Sequence, residues 1–112
     1  MSDLSWSEFE SVDMRVGTIT GVDEFPEAHN PAWKLTIDFG EELGVLRSSA
    51  QVTELYGQDD LLGKQIIAVV NFPKKQIGPF MSECLVLGVV GTGKGVVLLQ
   101  TEQNTINGLK IS

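Results

Sequence analysis

Apolar and polar residues alternate strictly in the stretch WKLTIDF at residues 33–39. A two-residue period places every apolar side chain on one face of an extended strand, and that face must pack against a core. The stretch MRVGTITGV at residues 14–22 has the same period, and its two glycines share one face. Glycines so placed are typical of a sharply coiled barrel strand. The chain is therefore constrained to build a β-sheet.

Further elements are predicted between glycine-containing turns. Residues 65–70, QIIAVV, are apolar on both faces and predict an internal strand, whereas residues 50–64 predict a short helical turn and a polar corner. A short helix is expected over residues 6–12, because Ser5 and Glu8 have the spacing of a capping box. The remaining predictions are strands at residues 44–49, 84–90, 96–100 and 110–111 and a hairpin turn at residues 40–42.

These elements predict an all-β fold. Five principal strands, one helix before the first and one between the third and fourth have the layout of a five-stranded OB-fold barrel, which we favour over a sandwich. The 112 residues fit one domain, since domains usually contain about 100 to 200 residues. We expect a single domain over residues 1–112, with residues 1–12 as an N-terminal helical extension.

Charge and cysteine content limit the function and the location. The net charge of −7 argues against a nucleic-acid partner, although five of the eight basic residues lie in residues 61–112, which hold only two acidic residues. The lone cysteine, Cys84, excludes an internal disulfide and fits a reducing compartment. No signal peptide is visible, and no apolar run approaches the roughly 20 residues of a membrane-spanning helix. We expect a cytoplasmic protein without membrane insertion.

No motif predicts catalysis, a cofactor or a metal site. Residues 88–94 match the first part of a phosphate-binding loop, but Gly95 stands where Ser or Thr is required, and a plain hairpin is favoured. His29 is the only histidine and has no second ligand at metal-binding spacing. Cys84 begins an apolar strand and is interpreted as structural. We therefore expect a binding protein and not an enzyme.

The stretch NFPKKQIGPFMSECLVLG at residues 71–88 is the strongest candidate for a binding site. It connects two predicted strands at the barrel rim, where OB-folds usually bind ligands. Its residues offer three kinds of contact. Lys74 and Lys75 can neutralise phosphates or a carboxylate; Phe72, Ile77 and Phe80 offer apolar contact; Asn71, Ser82 and Glu83 offer hydrogen bonds. The alternative is that the three apolar side chains plug the end of the barrel.

Several segments carry a family resemblance. DMRVGTI at 13–19, SSAQVT at 48–53 and LLGKQIIAVVNFP at 61–73, together with EFPEA, PAWKL, FG, SE and VVLLQ, keep their order and spacing over residues 8–112. The chain thereby resembles the CsaA family of secretion chaperones, within the wider tRNA-binding domain family. The resemblance implies an OB-fold that works as a homodimer, with Trp6 and Phe9 of the N-terminal helix at the interface.

The resemblance also implies two ligands. In the tRNA-binding relatives, the positions of Asn71, Lys74, Lys75, Ser82 and Glu83 belong to the motif associated with RNA binding, whereas CsaA-like proteins bind unfolded or precursor polypeptides in the same region. This chain departs from the stronger tRNA binders, because Ala32-Trp33 stands where relatives often carry a charged pair and because acidic residues outnumber basic ones.

The favoured hypothesis is a homodimeric, chaperone-like protein that binds unfolded or precursor polypeptides for export, in contact with export machinery. Phe72, Ile77 or Phe80 would supply apolar contact, and Gln51, Asn71 and Ser82 would supply hydrogen bonds. The alternative is a structure-specific tRNA-binding module, with Lys74 and Lys75 at phosphates.

Overall fold

The structure is a computed structural model that describes residues 2–112. Within that range the helices are short: α1 (Trp6–Glu10), α2 (Gly40–Leu43) and α3 (Gln58–Leu61). The strands are β1 (Met14–Glu24), β2 (Trp33–Asp38), β3 (Val45–Ala50), β4 (Gln65–Val69), β5 (Lys75–Ile77), β6 (Phe80–Ser82), β7 (Leu85–Val86), β8 (Gly88–Val89) and β9 (Val97–Leu98).

Five of the strands form one antiparallel sheet in the order β3–β2–β1–β4–β7. The two edge strands, β3 and β7, come together, and the sheet is therefore a nearly closed barrel. Helix α3 lies between β3 and β4, and α1 precedes β1. The predicted all-β, five-stranded OB-fold with these two helices is confirmed.

Strand β1 joins the two halves of the barrel by changing partners. Its first half pairs with β4 and its second half with β2, and a β-bulge lies between Ile19 and Gly21. The two-residue period of residues 14–22 predicts Thr18, Thr20 and Val22 on one face and Gly17, Ile19 and Gly21 on the other, and this prediction is wrong beyond the bulge. The extra residue reverses the alternation, so that Val22 packs against the same core as Ile19 although the period places these two side chains on opposite faces.

The core lies inside the barrel. Leu35, Ile37 and Phe39 of the WKLTIDF stretch are fully buried, as the alternation predicts. Gly17 packs against two of them, and a Cβ at this position would lie 2.7 Å from atoms of Ile37 and Phe39. Gly17 is therefore needed for close packing across the coiled strand. A smaller cluster outside the barrel joins Phe25, Ala32 and Phe80.

Several predicted boundaries change. The N-terminal helix ends at Glu10 and not at residue 12, although its capping box is present. The predicted turn at residues 40–42 is the helical turn α2, and the predicted strand 84–90 is divided into β7 and β8. The predicted strand 110–111 is a single bridge between Arg15 and Lys110. No helix in residues 2–112 is long and apolar enough to cross a membrane.

Candidate functional site

The candidate segment at residues 71–83 is more ordered than the connection predicted from its sequence. Strands β5 and β6 pair as a hairpin, with Lys75 opposite Ser82 and Ile77 opposite Phe80. The turn falls at Gly78-Pro79, where Gly78 has a φ of 56° that favours glycine. The hairpin holds its side chains in a fixed register beside the barrel.

The hairpin and the residues after it fasten one edge of the barrel to the other. The Glu83 N–H donates to the Arg47 carbonyl at 2.8 Å, and the Arg47 N–H donates back to Glu83 Oε1 at 3.0 Å. The Ser49 N–H donates to Ser82 Oγ at 3.2 Å. The Ser48 hydroxyl donates to the buried Cys84 carbonyl at 2.8 Å. We call the junction of β3 with residues 82–90 the seam.

Beyond these bonds the seam opens. A cleft of about 390 Å³ lies between the end of β3 and the hairpin, and a second cleft of about 360 Å³ continues towards residues 88–96. Both clefts share Ser49, Gln51 and Leu85. We call the two together the seam groove. Its remaining lining residues are Phe72, Pro73, Lys75, Ile77, Ser82 and Cys84 at the hairpin end and Ala50, Val52, Val86, Leu87, Gly88, Val90 and Val96 at the other end.

Five of the nine predicted binding residues line the seam groove. They are Gln51, Phe72, Lys75, Ile77 and Ser82. The side chain of Phe72 is 55% exposed, so it offers apolar surface to a ligand. Lys75 is the one charged residue among the described lining residues of the two clefts. The groove is therefore apolar, with hydroxyl and amide groups and a single positive charge.

Asn71 has a structural role. Its Oδ1 accepts the Asp13 N–H at 3.0 Å, and its Nδ2 donates to the Ser11 carbonyl at 2.7 Å. These two bonds fasten the segment after α1 to the start of the hairpin arm. The hydrogen-bonding capacity that the sequence assigned to a ligand is used within the chain.

Lys74 and Glu83 are paired with each other and lie outside the groove lining. Lys74 Nζ is 3.4 Å from Glu83 Oε2, with side-chain exposures of 65% and 21%. Glu83 also accepts the Arg47 N–H, so its carboxylate serves the seam. An exposed pair of this kind contributes little to stability, roughly 0 to 1 kcal/mol. The pairing partly neutralises the positive charge that the sequence placed at this site.

Phe80 is buried and cannot contact a ligand at the surface of this chain. It is 4% exposed and packs edge-on against Phe25, with ring centroids 5.3 Å apart. The Arg47 guanidinium lies 4.7 Å above its ring. The alternative interpretation of the apolar side chains as packing therefore describes Phe80, whereas Ile77 is half-buried and Phe72 is exposed.

Sequence reasoning missed Leu85 as a groove residue. Its side chain is 48% exposed at the start of β7, and it faces Ser49, a residue 36 positions earlier in the chain. Only the closure of the barrel brings these two residues together. The signal was an apolar residue on a strand next to buried Cys84, since alternation turns one of two neighbouring side chains outwards.

Cys84 forms part of the groove floor without reactive character. The side chain is 7% exposed, and burial raises the pKa of its thiol to about 12. The thiol is therefore protonated at neutral pH. In residues 2–112 no group of three or more His, Cys, Asp or Glu side chains is placed to hold a metal ion. His29 is exposed in a loop.

A second apolar surface surrounds α1. Trp6 is 81% exposed and Leu4 is 69% exposed, and with Phe9 and Ser112 they line a further cleft of about 390 Å³. The capping box fixes the start of the helix, because the Glu8 N–H donates to Ser5 Oγ and the Ser5 N–H donates to Glu8. So much exposed apolar surface on a short helix is typical of an interaction site.

Solved structures of two chaperones resemble this chain over its whole length. The chaperone CsaA of Bacillus anthracis str. Ames is 50% identical, with a TM-score of 0.91, over 99% of this chain and 100% of that chain. The CsaA chaperone protein of Picrophilus torridus is 49% identical, with a TM-score of 0.92, over 98% and 100%. A MetRS related protein of Pyrococcus horikoshii, 20% identical with a TM-score of 0.87, shares the fold.

Sequence comparisons identify a second set of relatives. A family model described as putative tRNA binding domain matches residues 14–110. Methionine--tRNA ligases of Chlorobium limicola and Francisella tularensis subsp. tularensis are 27% and 30% identical over 97% and 98% of this chain. The chain spans only 15% and 16% of the length of these two ligases.

Proposed function

This chain belongs to the putative tRNA-binding domain family, and from that premise we propose that it is a non-enzymatic, chaperone-like protein that holds unfolded or precursor polypeptides in the seam groove. The observation that carries the proposal is the composition of the groove. Exposed Phe72 and Leu85 and half-buried Ile77 offer apolar contact, and Gln51 and Ser82 add polar groups. Two solved chaperones at about half identity support the same function.

The proposal includes a homodimer in the cytoplasm. The exposed apolar surface around Trp6 and Phe9 would be stabilised by burial, and a second copy of the chain would bury it in a dimer interface. Two shallow grooves on one dimer would raise the avidity for a long unfolded chain that reaches both. The clients would be precursors destined for export, and the export machinery would receive them from this protein.

A tRNA-binding module is the second candidate, favoured by the family model and by the methionine--tRNA ligases. Lys74 and Lys75 would contact phosphates. We rank this function lower, because the net charge is −7 and Lys74 is already paired with Glu83. Each phosphate contact to a single strand adds roughly 0.7 to the salt dependence of binding, so affinity from few contacts falls steeply with salt.

The test uses Phe72→Ala with Met81→Ala as its matched control. Both side chains are exposed and apolar, but only Phe72 lines the groove. Phe72→Ala should weaken binding of an unfolded precursor polypeptide by about tenfold, and Met81→Ala should leave it within about twofold. Titrations would follow fluorescence anisotropy of a labelled, urea-unfolded precursor after dilution.

The same titrations with total tRNA at low and moderate salt separate the two candidates. We expect weak tRNA binding that disappears with rising salt and is abolished by Lys74→Glu with Lys75→Glu. Strong tRNA binding that persists with rising salt, together with no polypeptide binding, would replace the proposal by the RNA-binding alternative.

A further inference from the structure

Backbone groups of β3 point into the seam groove without a partner. In an antiparallel ladder, alternate residues turn their N–H and C=O groups to the same side. Arg47 and Ser49 turn theirs towards the seam, as their bonds to Glu83 and Ser82 show. If the same alternation continues from Ser49 to residue 51, the Ser49 carbonyl and the Gln51 N–H point into the open groove. Neither group has a hydrogen-bond partner within residues 2–112.

The opposite wall presents a matching edge. The Leu87 N–H donates to the Ile67 carbonyl of β4 at 2.9 Å, so this N–H points towards β4 and away from the seam. Val86, opposite Ala68 in the same ladder, must turn its N–H and C=O towards the seam. These two groups also lack a partner in the described chain. Val86 lines the groove, and its two walls are therefore two unpaired strand edges.

We infer that the seam groove binds a polypeptide segment as an added β-strand, which enters between β3 and β7 and moves these two edges apart. Cα atoms of β3 and β7 lie within 8 Å of each other, whereas an intervening strand needs about 10 Å, which is twice the usual spacing between strands. The inference rests on the proposed function and says how the client is held. The inserted strand would pair with Ser49 and Gln51 on one side and with Val86 on the other. It would close the barrel in the half where the chain's own hydrogen bonds stop.

The side chains of the groove define the client segment. A strand of about five or six residues turns alternate side chains to the same face. At the hairpin end these side chains would meet Phe72 and Ile77 beside Lys75, the one charged lining residue. At the other end they would meet Val90 and Val96. The complementary segment has apolar residues at alternate positions and an acidic residue at its hairpin end.

Main-chain pairing explains how such a groove could accept many sequences. Backbone hydrogen bonds are available to every polypeptide, and the side chains then add selectivity through alternate positions. A nucleic-acid strand cannot supply the alternating N–H and C=O groups that the two walls require. One lysine also offers little neutralisation to a row of phosphates.

The decisive experiment replaces backbone amides of a peptide by esters, which removes single N–H donors and leaves the side chains unchanged. The peptide carries Val at alternate positions and Asp at one end. An ester at either of two adjacent central positions should weaken binding about fivefold, as expected for one hydrogen bond. Both positions matter because neighbouring residues of an inserted strand face opposite walls. An ester at the peptide terminus should change affinity by less than twofold.

Amide hydrogen exchange of the protein gives an independent measurement. On peptide binding, exchange at the Gln51 and Val86 N–H groups should slow at least tenfold, while exchange at Gly93 in the glycine-rich turn should not change. Gln51→Pro removes both the side-chain amide and the backbone N–H, and should weaken binding several-fold more than Gln51→Ala, which removes only the side-chain amide. If Gln51→Pro does not fold, the ester series and the exchange rates still decide.

The outcomes separate the inference from the proposed function. Peptide that binds equally well with central esters and without slowed exchange would overturn strand insertion and leave the polypeptide-binding function standing. If the protein binds tRNA tightly and binds no peptide, both strand insertion and the proposed polypeptide-binding function are overturned. Exchange at the Gln51 and Val86 N–H groups is also measured at rising protein concentration without peptide. If it slows there, a second copy of the chain occupies the groove, and the inference is overturned.

Discussion

Between Arg47 and Ser49 the two edges of the barrel are joined by hydrogen bonds, whereas at Gln51 the same two edges are separated by a groove. The closed half is made largely by side chains, since Ser82 and Glu83 accept backbone N–H groups of β3. After Cys84 the chain pairs with β4, and no ladder joins β7 to β3 in the described chain. We therefore expect stability to depend on the closed half of the seam and the proposed polypeptide binding to depend on the open half, and mutations can separate the two.

The largest effect is expected in the closed half. Ser48→Ala removes the hydroxyl donor to the Cys84 carbonyl in a site that is 1% exposed. The loss of this buried hydrogen bond should lower the free energy of unfolding by about 2 kcal/mol, measured by urea denaturation. Ser49→Ala is the matched control, because only the Ser49 backbone takes part in the seam. An equal loss in both variants would contradict the division of the seam into two halves.

A smaller effect is expected from pH at the groove floor. Burial raises the Cys84 pKa from 9.0 to about 12. A raised folded-state pKa stabilises the fold below pH 9, and this contribution is lost as the pH rises from about 9 towards 12. Between pH 8 and pH 10 the parent should lose about 1 kcal/mol more than Cys84→Ala. Denaturation curves at the two pH values measure this difference, and equal losses would mean that the thiol is solvated.

The smallest effect is expected in the open half. Lys75→Gln should weaken binding of the acidic peptide by about threefold at low salt and leave stability unchanged within about 0.5 kcal/mol. Lys74→Gln is the control, since this lysine is paired with Glu83 and lies outside the groove lining. Peptide titration at two salt concentrations measures both. A larger loss of peptide affinity in Lys74→Gln than in Lys75→Gln would show that the peptide binds to the outer face of the hairpin.

The barrel was predictable because its signals are local. The alternation over residues 33–39 identifies β2 and its buried face, and Ser5 and Glu8 identify the helix start. The bulge after Ile19 was not predictable, because it arises where β1 changes from one partner strand to another. The apolar pattern of a single strand does not show where the strand changes its pairing partner.

The candidate site was predictable only in part. Phe72, Lys75 and Ile77 lie in the groove as the sequence suggested, since their residue types reveal what a rim loop can offer. Asn71 and Phe80 do not, because their partners, Ser11 and Phe25, are distant in the chain. Whether a polar or aromatic side chain is free for a ligand depends on contacts that only the folded barrel makes.

The two hydrogen bonds of Asn71 have a mechanical consequence. They tie the chain just after α1 to the residue that immediately precedes Phe72. If a second subunit docks on Trp6 as proposed and turns the helix, these bonds would shift Phe72 in the proposed binding groove. We therefore expect assembly and client affinity to be thermodynamically linked, each altering the other by the same factor.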